Sequence, residues 1–332
     1  MMRGKTAGPS AADRVQWSNR TGLALFDWMK NPRRINEKIA RLAIYILLFD
    51  LAFVFIFPFL YMLVTSFKSS TDLYDFTVNW VPRTLRFANF TLAFKQLHYW
   101  DFFKNSAFVT AVATVGHLLS CSFVGYGFAR YNFPFKKTLF MIVIIAFIVP
   151  IQTIIVPMYM VFANLKWLNS YLPILVPTFF GLGFKGALFI FIFRQFYLGI
   201  PRELENAAKI DGCGFLRTYW LIVFPIARSV FLVAIVLSIV WHWNDFYEPG
   251  IYASRPNLSM LPVKLSSMAD IVKAPITTAA QIKKRLEHPE EVLNNAVLMA
   301  ATLLVILPVL ISFAFLQRKF MQGIERTGIS GE

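Results

Sequence analysis

The sequence predicts an all-α protein that crosses a membrane about six times. Three observations carry this. Charged residues make up only 15% of the 332-residue chain, against about a quarter in globular proteins. Apolar runs long enough to cross a hydrocarbon core, about 20 residues, recur along it. The runs are continuous rather than alternating. That pattern fits helices, whose backbone satisfies itself in lipid, and excludes a barrel.

Residues 1–41 are polar and basic. Trp17, Thr21, Leu25 and Trp28 fall near one helical face. The segment is either a helix lying in the membrane interface or a loosely ordered tail. The first span covers 42–66 and holds Asp50 and Pro58. An outer connection, 67–104, follows, in which 81–90 reads as extended and irregular. Spans two to four cover 105–129, 138–162 and 172–197. Pro150 and Pro157 fall in the third, Pro173 and Pro177 in the fourth. Prolines are tolerated in lipid because neighbouring helices or waters take up the freed carbonyls, so they predict kinks rather than breaks. The fifth span covers 227–247. The sixth, with Pro308, covers 296–317. Between these two lies a long outer connection, 248–295. Its stretch 271–291 brings Lys283 and Arg285 close to Glu287 and Glu290, as in a short exposed helix. There is no internal repeat or low-complexity tract.

Lys and Arg collect on the cytoplasmic side of membrane proteins. They are dense before the first span (Arg33, Arg34, Lys38, Arg41). They recur in the second short loop (Arg130, Lys136, Lys137), the fourth (Arg202, Lys209, Arg217) and the tail (Arg318, Lys319, Arg326). With an even number of spans these all share one face, and both termini are cytoplasmic. The formal charge of +15 is spread over span ends and does not form a nucleic-acid footprint. The first apolar run starts too late and runs too long for a cleavable signal peptide. Cys121 lies within a span and Cys213 in a loop, at depths that forbid pairing. Neither points to a metal.

The most informative stretch is polar. Residues 201–212 lie between two spans, where a loop need only turn the chain, yet they read as a helix. Pro201 suits a first helical position. Glu203 and Glu205 favour the positive end of the dipole, and Gly212 suits the stop. Leu204, Ala207 and Ala208 share a face by spacing, made flat by the paired alanines. Such a rod suits insertion into a partner protein's groove. An amphipathic helix lying on the membrane is the plainer alternative.

The run Ile200-Pro201-Arg202-Glu203-Leu204-Glu205-Asn206-Ala207-Ala208-Lys209-Ile210-Asp211-Gly212, followed by Phe224-Pro225, resembles the signature loop of binding-protein-dependent ABC importer permeases. Within that family it is most similar to the carbohydrate branch related to the second maltose-system subunit. Other pieces fall in the same order. They are Asn105-Ser106, Gly125-Tyr126-Gly127-Phe128-Ala129-Arg130, Val149-Pro150, Val156-Pro157-Met158-Tyr159, Trp243-Asn244-Asp245-Phe246 and Gln317 to Gly323. The family pattern has Glu directly before the paired alanines; this chain has Asn206 there, with Glu203 and Glu205 nearby. Its last outer connection is also longer than the family minimum.

The resemblance implies a type I ABC importer permease fold, in a permease domain over 42–323 with a core at about 104–317. The ATPase-coupling loop is 198–226, and 324–332 is a cytoplasmic tail. The coupling residues would be Glu203, Leu204, Glu205, Asn206, Ala207, Ala208, Asp211 and Gly212. The implied partners are a sister permease subunit, two copies of an ATPase subunit, an extracytoplasmic solute-binding protein, a sugar and membrane lipid. The implied place is the bacterial inner membrane. The chain carries no phosphate-cradling Gly-rich motif, so ATP and Mg are expected on the ATPase partners and no cofactor on this chain.

Polar residues inside spans are costly and usually face a cavity or a partner. Asp50 and Lys185 both fall near mid-depth, counting at about 1.5 Å per residue. Lys185 either pairs with a neighbour such as Asp50 or lines the translocation path, where it would favour an acidic sugar. Trp243, Asn244 and Asp245, at the end of the fifth span, offer an aromatic face and polar groups to a sugar ring. His117 and His242 read as helix-packing residues. An ion-coupled secondary transporter would use Asp50 and Lys185 but leaves the polar loop unexplained. A membrane-embedded enzyme would need paired acids, a metal cluster or an activated nucleophile, and no span offers one.

Overall fold

Every regular element among the described residues is helical. The computed structural model describes residues 32–78, 80–182, 184–275, 283, 287 and 292–328. The expectation for Trp17 to Trp28 lies outside them, as does most of 271–291. The chain divides into two compact units, Met1–Tyr61 and Met62–Glu332.

The first unit holds most of α1, Pro32–Ser66. From Glu37 to Tyr61 its side chains are exposed. Beyond Arg41 they are apolar on every face except at Asp50, as in a membrane span. Pro58 sits inside this helix without ending it.

The second unit begins with two short helices that the sequence reading missed, α2 (Ser70–Tyr74) and α3 (Ala88–Gln96). Between them 81–87 is irregular, as expected, but 88–90, expected to be irregular too, form the first turn of α3. Then comes α4, Tyr99–Arg130. The third span is α5 (Lys136–Ile148) and α6 (Ile151–Asn164), which meet at 104°. This corrects the expected kink to a break. A residue before proline is pushed out of the helical region by the ring. Val149 (ψ 122°) and Pro150 (ψ 136°) are accordingly both extended. Pro157, inside α6, does not break it.

The fourth span is also interrupted. A single turn, α7 (Leu172–Leu175), passes into a 3-10 helix, Val176–Phe180, and a turn at Gly181 precedes α8, Phe184–Leu198. Next come α9 (Glu203–Ile210) and α10 (Phe215–Thr218). A π-helical turn, Tyr219–Val223, leads into α11 (Phe224–Ile226). The stretch Phe215–Ile226 meets α12, Arg228–Asn244, at 78°. The bend follows the π-turn and Pro225, both of which disrupt the regular ladder. Outside the last spans lie α13 (Tyr247–Tyr252) and α14 (Leu261–Lys273). The chain closes with α15, Asn295–Gly328. Among the described residues four helices are long and apolar enough to cross a membrane, and the two bent pairs bring the number up to six.

Helix α4 is the hub. One core packs its Tyr126 and Cys121 against Phe189, Phe193 and Tyr197 of α8 and Phe231 of α12. A second gathers Leu97 after α3, Trp243 of α12, Leu261 and Met268 of α14 and Val297 of α15. The contact between α4 and α8 is close because Gly125 has no side chain. A Cβ there would lie 2.8 Å from the Phe193 Cβ, and small residues allow such approach between membrane helices. Asn105 donates to the carbonyls of Asn257 and Ser259, and Ser106 Oγ accepts from Leu261 N at 2.9 Å. Residues expected to open the second span therefore fasten α4 to the outer connection.

Candidate functional site: a coupling helix and a polar cavity

The expected polar helix forms as α9. Arg202 is its N-cap and Asp211 its C-cap. Gly212 has φ +77°, the left-handed conformation that glycine adopts at no steric cost. Gly212 N donates to Lys209 O at 3.0 Å and Cys213 N to Ala208 O at 2.9 Å. This is the Schellman stop, which satisfies the last carbonyls.

The faces of α9 differ from the spacing argument. Leu204, Ala207 and Ala208 do not act as one surface. Glu205 and Ala208 point inward and are buried, while Leu204, Asn206, Ala207 and Ile210 are exposed. Glu205 is turned inward because a cation waits for it. Arg130, the last residue of α4, lies with its Nε 2.6 Å from Glu205 Oε1. Tyr126 OH donates to the other oxygen at 3.2 Å, and the Arg130 guanidinium also donates to Ile200 O. The outward surface left for a partner is Leu204, Asn206, Ala207, Ile210 and the charged flanks of Glu203 and Lys209.

The second feature is a cavity of about 470 Å³, walled by α4, α6, the interrupted fourth span, α12 and α13. Its polar lining is His117, Thr178, Lys185, His242, Glu248 and Tyr252. Trp167, Phe162 and Phe180 supply aromatic faces. Lys185 Nζ lies 3.1 Å from Asp245 Oδ2. The other oxygen of Asp245 accepts from Tyr247 N at 3.1 Å, at the start of α13. His117 Nδ1 and His242 Nε2 are 3.0 Å apart, a bond that needs a proton on one nitrogen and a lone pair on the other. The Gly181 carbonyl packs on Gly186. A Cβ on Gly186 would lie 2.4 Å from that oxygen, so the turn closes only on glycine. Glu248 lies beyond the end of α12. Burial, and then the Asp245 carboxylate, push its carboxyl up to about 7, opposed by Lys185.

Residues 122–326 match the family described as binding-protein-dependent transport system inner membrane component. The chain belongs to that family. It is thus a transport component of the inner membrane rather than an enzyme. One similar protein is the arabinooligosaccharides transport system permease protein AraQ of Halalkalibacterium halodurans. It is 29% identical over 284 residues, covering 85% of this chain and 93% of the relative. The lactose transport system permease protein LacG of Rhizobium radiobacter is 27% identical, over 82% of this chain and 90% of its own. Among solved structures, a bacterial ABC transporter involved in the import of the acidic polysaccharide alginate contains a chain that superposes with a TM-score of 0.69. It is 18% identical and covers 86% of this chain and 98% of its own, so the likeness establishes the type I permease fold.

The structure sorts the other residues named from the sequence of this permease component. Asp245 and Lys185 are brought together. Lys185 has Asp245 as its counter-ion; Asp50, the partner that the sequence offered, is exposed on α1 in the other compact unit. Trp243 is buried in a core, its indole N–H donated to Val305 O of α15 at 2.9 Å, and does not line the cavity. Asn244 is exposed and its amide bonds back to Val240 O. His117 and His242 do pack helices, but on each other and at the cavity wall. Arg130, Glu248 and this histidine pair were not marked as site residues, because their partners lie far along the chain. Cys121 and Cys213 are both free.

Proposed function

We propose that this chain is one membrane-spanning subunit of an ATP-driven importer. It would pass an oligosaccharide, delivered by an extracytoplasmic solute-binding protein, along a path that includes the Lys185–Asp245 cavity. The observation that carries the reading is α9. A helix of only eight residues stands between spans, closed by a Schellman stop, with its inward face tied to α4 and its outward face exposed among the described residues. That is a surface shaped for an ATPase subunit. The sister permease and two ATPase copies complete the assembly. ATP and Mg would be held by the ATPases, since this chain has no phosphate-cradling loop. Both termini lie in the cytoplasm on this reading.

The cavity chemistry supports a saccharide. Aromatic faces next to a lysine, a carboxylate and two imidazoles suit a ring that is apolar on its faces and hydroxylated at its rim. Relatives named for arabinooligosaccharides and lactose point the same way. An acidic sugar has less support here than Lys185 alone would lend it, because Asp245 already balances that charge. We infer a neutral oligosaccharide.

The test uses α9. Asp211→Arg, or Ala207→Trp on the exposed face, should leave the protein in the membrane and assembled with its sister subunit. ATP hydrolysis by the complex should then no longer rise with loaded binding protein, and uptake should be lost. Normal stimulation in both variants would remove α9 from the mechanism.

A further inference from the structure

The last turns of α4 and the whole of α9 share one buried polar joint. The side chains of Arg130 and Glu205 are 4% and 7% exposed. Three separate segments meet there. Arg130 holds Ile200 O, before α9, and the Glu205 carboxylate within it. Phe215, after α9, stacks on Tyr126 at 5.6 Å and packs edge-on against Tyr131 at 5.0 Å. The following turn is held by Ser122 Oγ, 2.7 Å from Tyr219 OH and 2.5 Å from Tyr197 OH of α8. A desolvated ion pair has no cheap half-open state, because separation leaves each charge buried and alone. The joint is therefore stiff.

Helix α4 reaches the cavity at its other contacts. His117, about 20 Å from Arg130 at helical rise, bonds His242 and sits 3.4 Å from Leu182 O. Ser120 Oγ donates to Thr178 O at 2.6 Å. The same rod thus touches α9 at its end and the interrupted fourth span near its middle.

We propose that the Arg130–Glu205 pair is a positioning pair that makes α9 and α4 one rigid body, so that displacement of α9 is delivered to the His117 wall of the cavity. The inference rests on the coupling role given to α9 above. Coupling of this kind is carried by packed elements whose arrangement both sites bias.

The experiment uses the full complex in nanodiscs, with spin labels at Leu119 on the exposed side of α4 and at Ile210, 86% exposed on α9, in a Cys213→Ser background. In the otherwise unaltered chain, the label distance should change by less than about 2 Å, the usual bound for rigid elements, between nucleotide-free and ATP-trapped states. Glu205→Gln should broaden or shift that distance and lower uptake about ten-fold, within the range of ordinary coupling energies. The exchange Arg130→Glu with Glu205→Arg should recover both. A larger distance change in the unaltered chain, or full uptake by Glu205→Gln with the distance unchanged, overturns the joint. If Glu205→Gln does not assemble, the unaltered chain and the exchange variant still decide. The two readings fail separately. Normal stimulation in Asp211→Arg removes the coupling role while the distance stays rigid. Loss of stimulation there, with a mobile distance in the unaltered chain, removes only the joint.

Discussion

Lys185 and Asp245 carry opposite charges in a place where neither is cheap to leave alone. Breaking a buried pair from one side costs about 3–5 kcal/mol, and these side chains are only 16% and 9% exposed. Lys185→Met should therefore lower thermal stability in detergent by about 3 kcal/mol. Lys185→Met with Asp245→Asn should recover most of it, since the amide oxygen can still accept from Tyr247 N. Equal loss in the single and double variants would show that the charges do not act as a pair. Glu248 gives a pH signature. Its folded pKa, about 7, lies above the ordinary value of 4.5, so the folded state keeps a proton that the unfolded chain releases. Stability from this group is full below about pH 4.5 and is lost as the pH rises through about 7. Lys185 and the two histidines face the same cavity, and Asp245 pairs with Lys185 at its edge, so the slope belongs to the cluster. Glu248→Gln should flatten the melting temperature between those pH values and raise it at pH 8; an unchanged slope would assign it to another group. The sequence marked Lys185 and Asp245 separately. Counting depth along a helix does not tell which helices are neighbours, and the partner seen for Lys185 lies 60 residues along the chain.

At the scale of elements, short-range chemistry was the most legible. The stop of α9 follows from Gly212 and its first turn carries the expected glutamates, all within one short window, while its first helical residue is Glu203 rather than the expected Pro201. Which way α9 faces did not follow, because a tertiary partner, Arg130, claims Glu205 and turns it inward. The break at Val149-Pro150 was read as a kink for a related reason. Pro58, Pro157 and Pro308 sit inside continuous helices. At Val149-Pro150 two consecutive residues are extended, and nothing in a proline alone distinguishes the cases. The Gly212 stop yields a prediction at this scale. A side chain in the left-handed region costs about 1–2 kcal/mol, and a Cβ at Gly212 meets nothing within 4 Å, so the cost is backbone strain alone. Gly212→Val should lower stability by about that amount and weaken stimulation of the ATPase by loaded binding protein. Gly212→Asn, which tolerates this conformation, should retain most of both. Equal behaviour of the two variants would show that the left-handed stop is not required.

At the scale of the whole molecule, six apolar segments in order were visible from hydropathy, because lipid imposes their length and continuity. The hub role of α4 was not visible. It arises from glycines, serines and a histidine that each look unremarkable in sequence and gain meaning only from what stands opposite. The central claim concerns the energy source, and it separates this account from an ion-coupled transporter built on the same spans. The direct measurement is uptake of a labelled neutral oligosaccharide into vesicles that contain this chain, its sister permease and the ATPase subunits. Binding protein is supplied outside and ATP inside. Accumulation should require both ATP and binding protein, and should persist when proton and sodium gradients are collapsed. Accumulation that follows an ion gradient and continues without ATP would contradict the account.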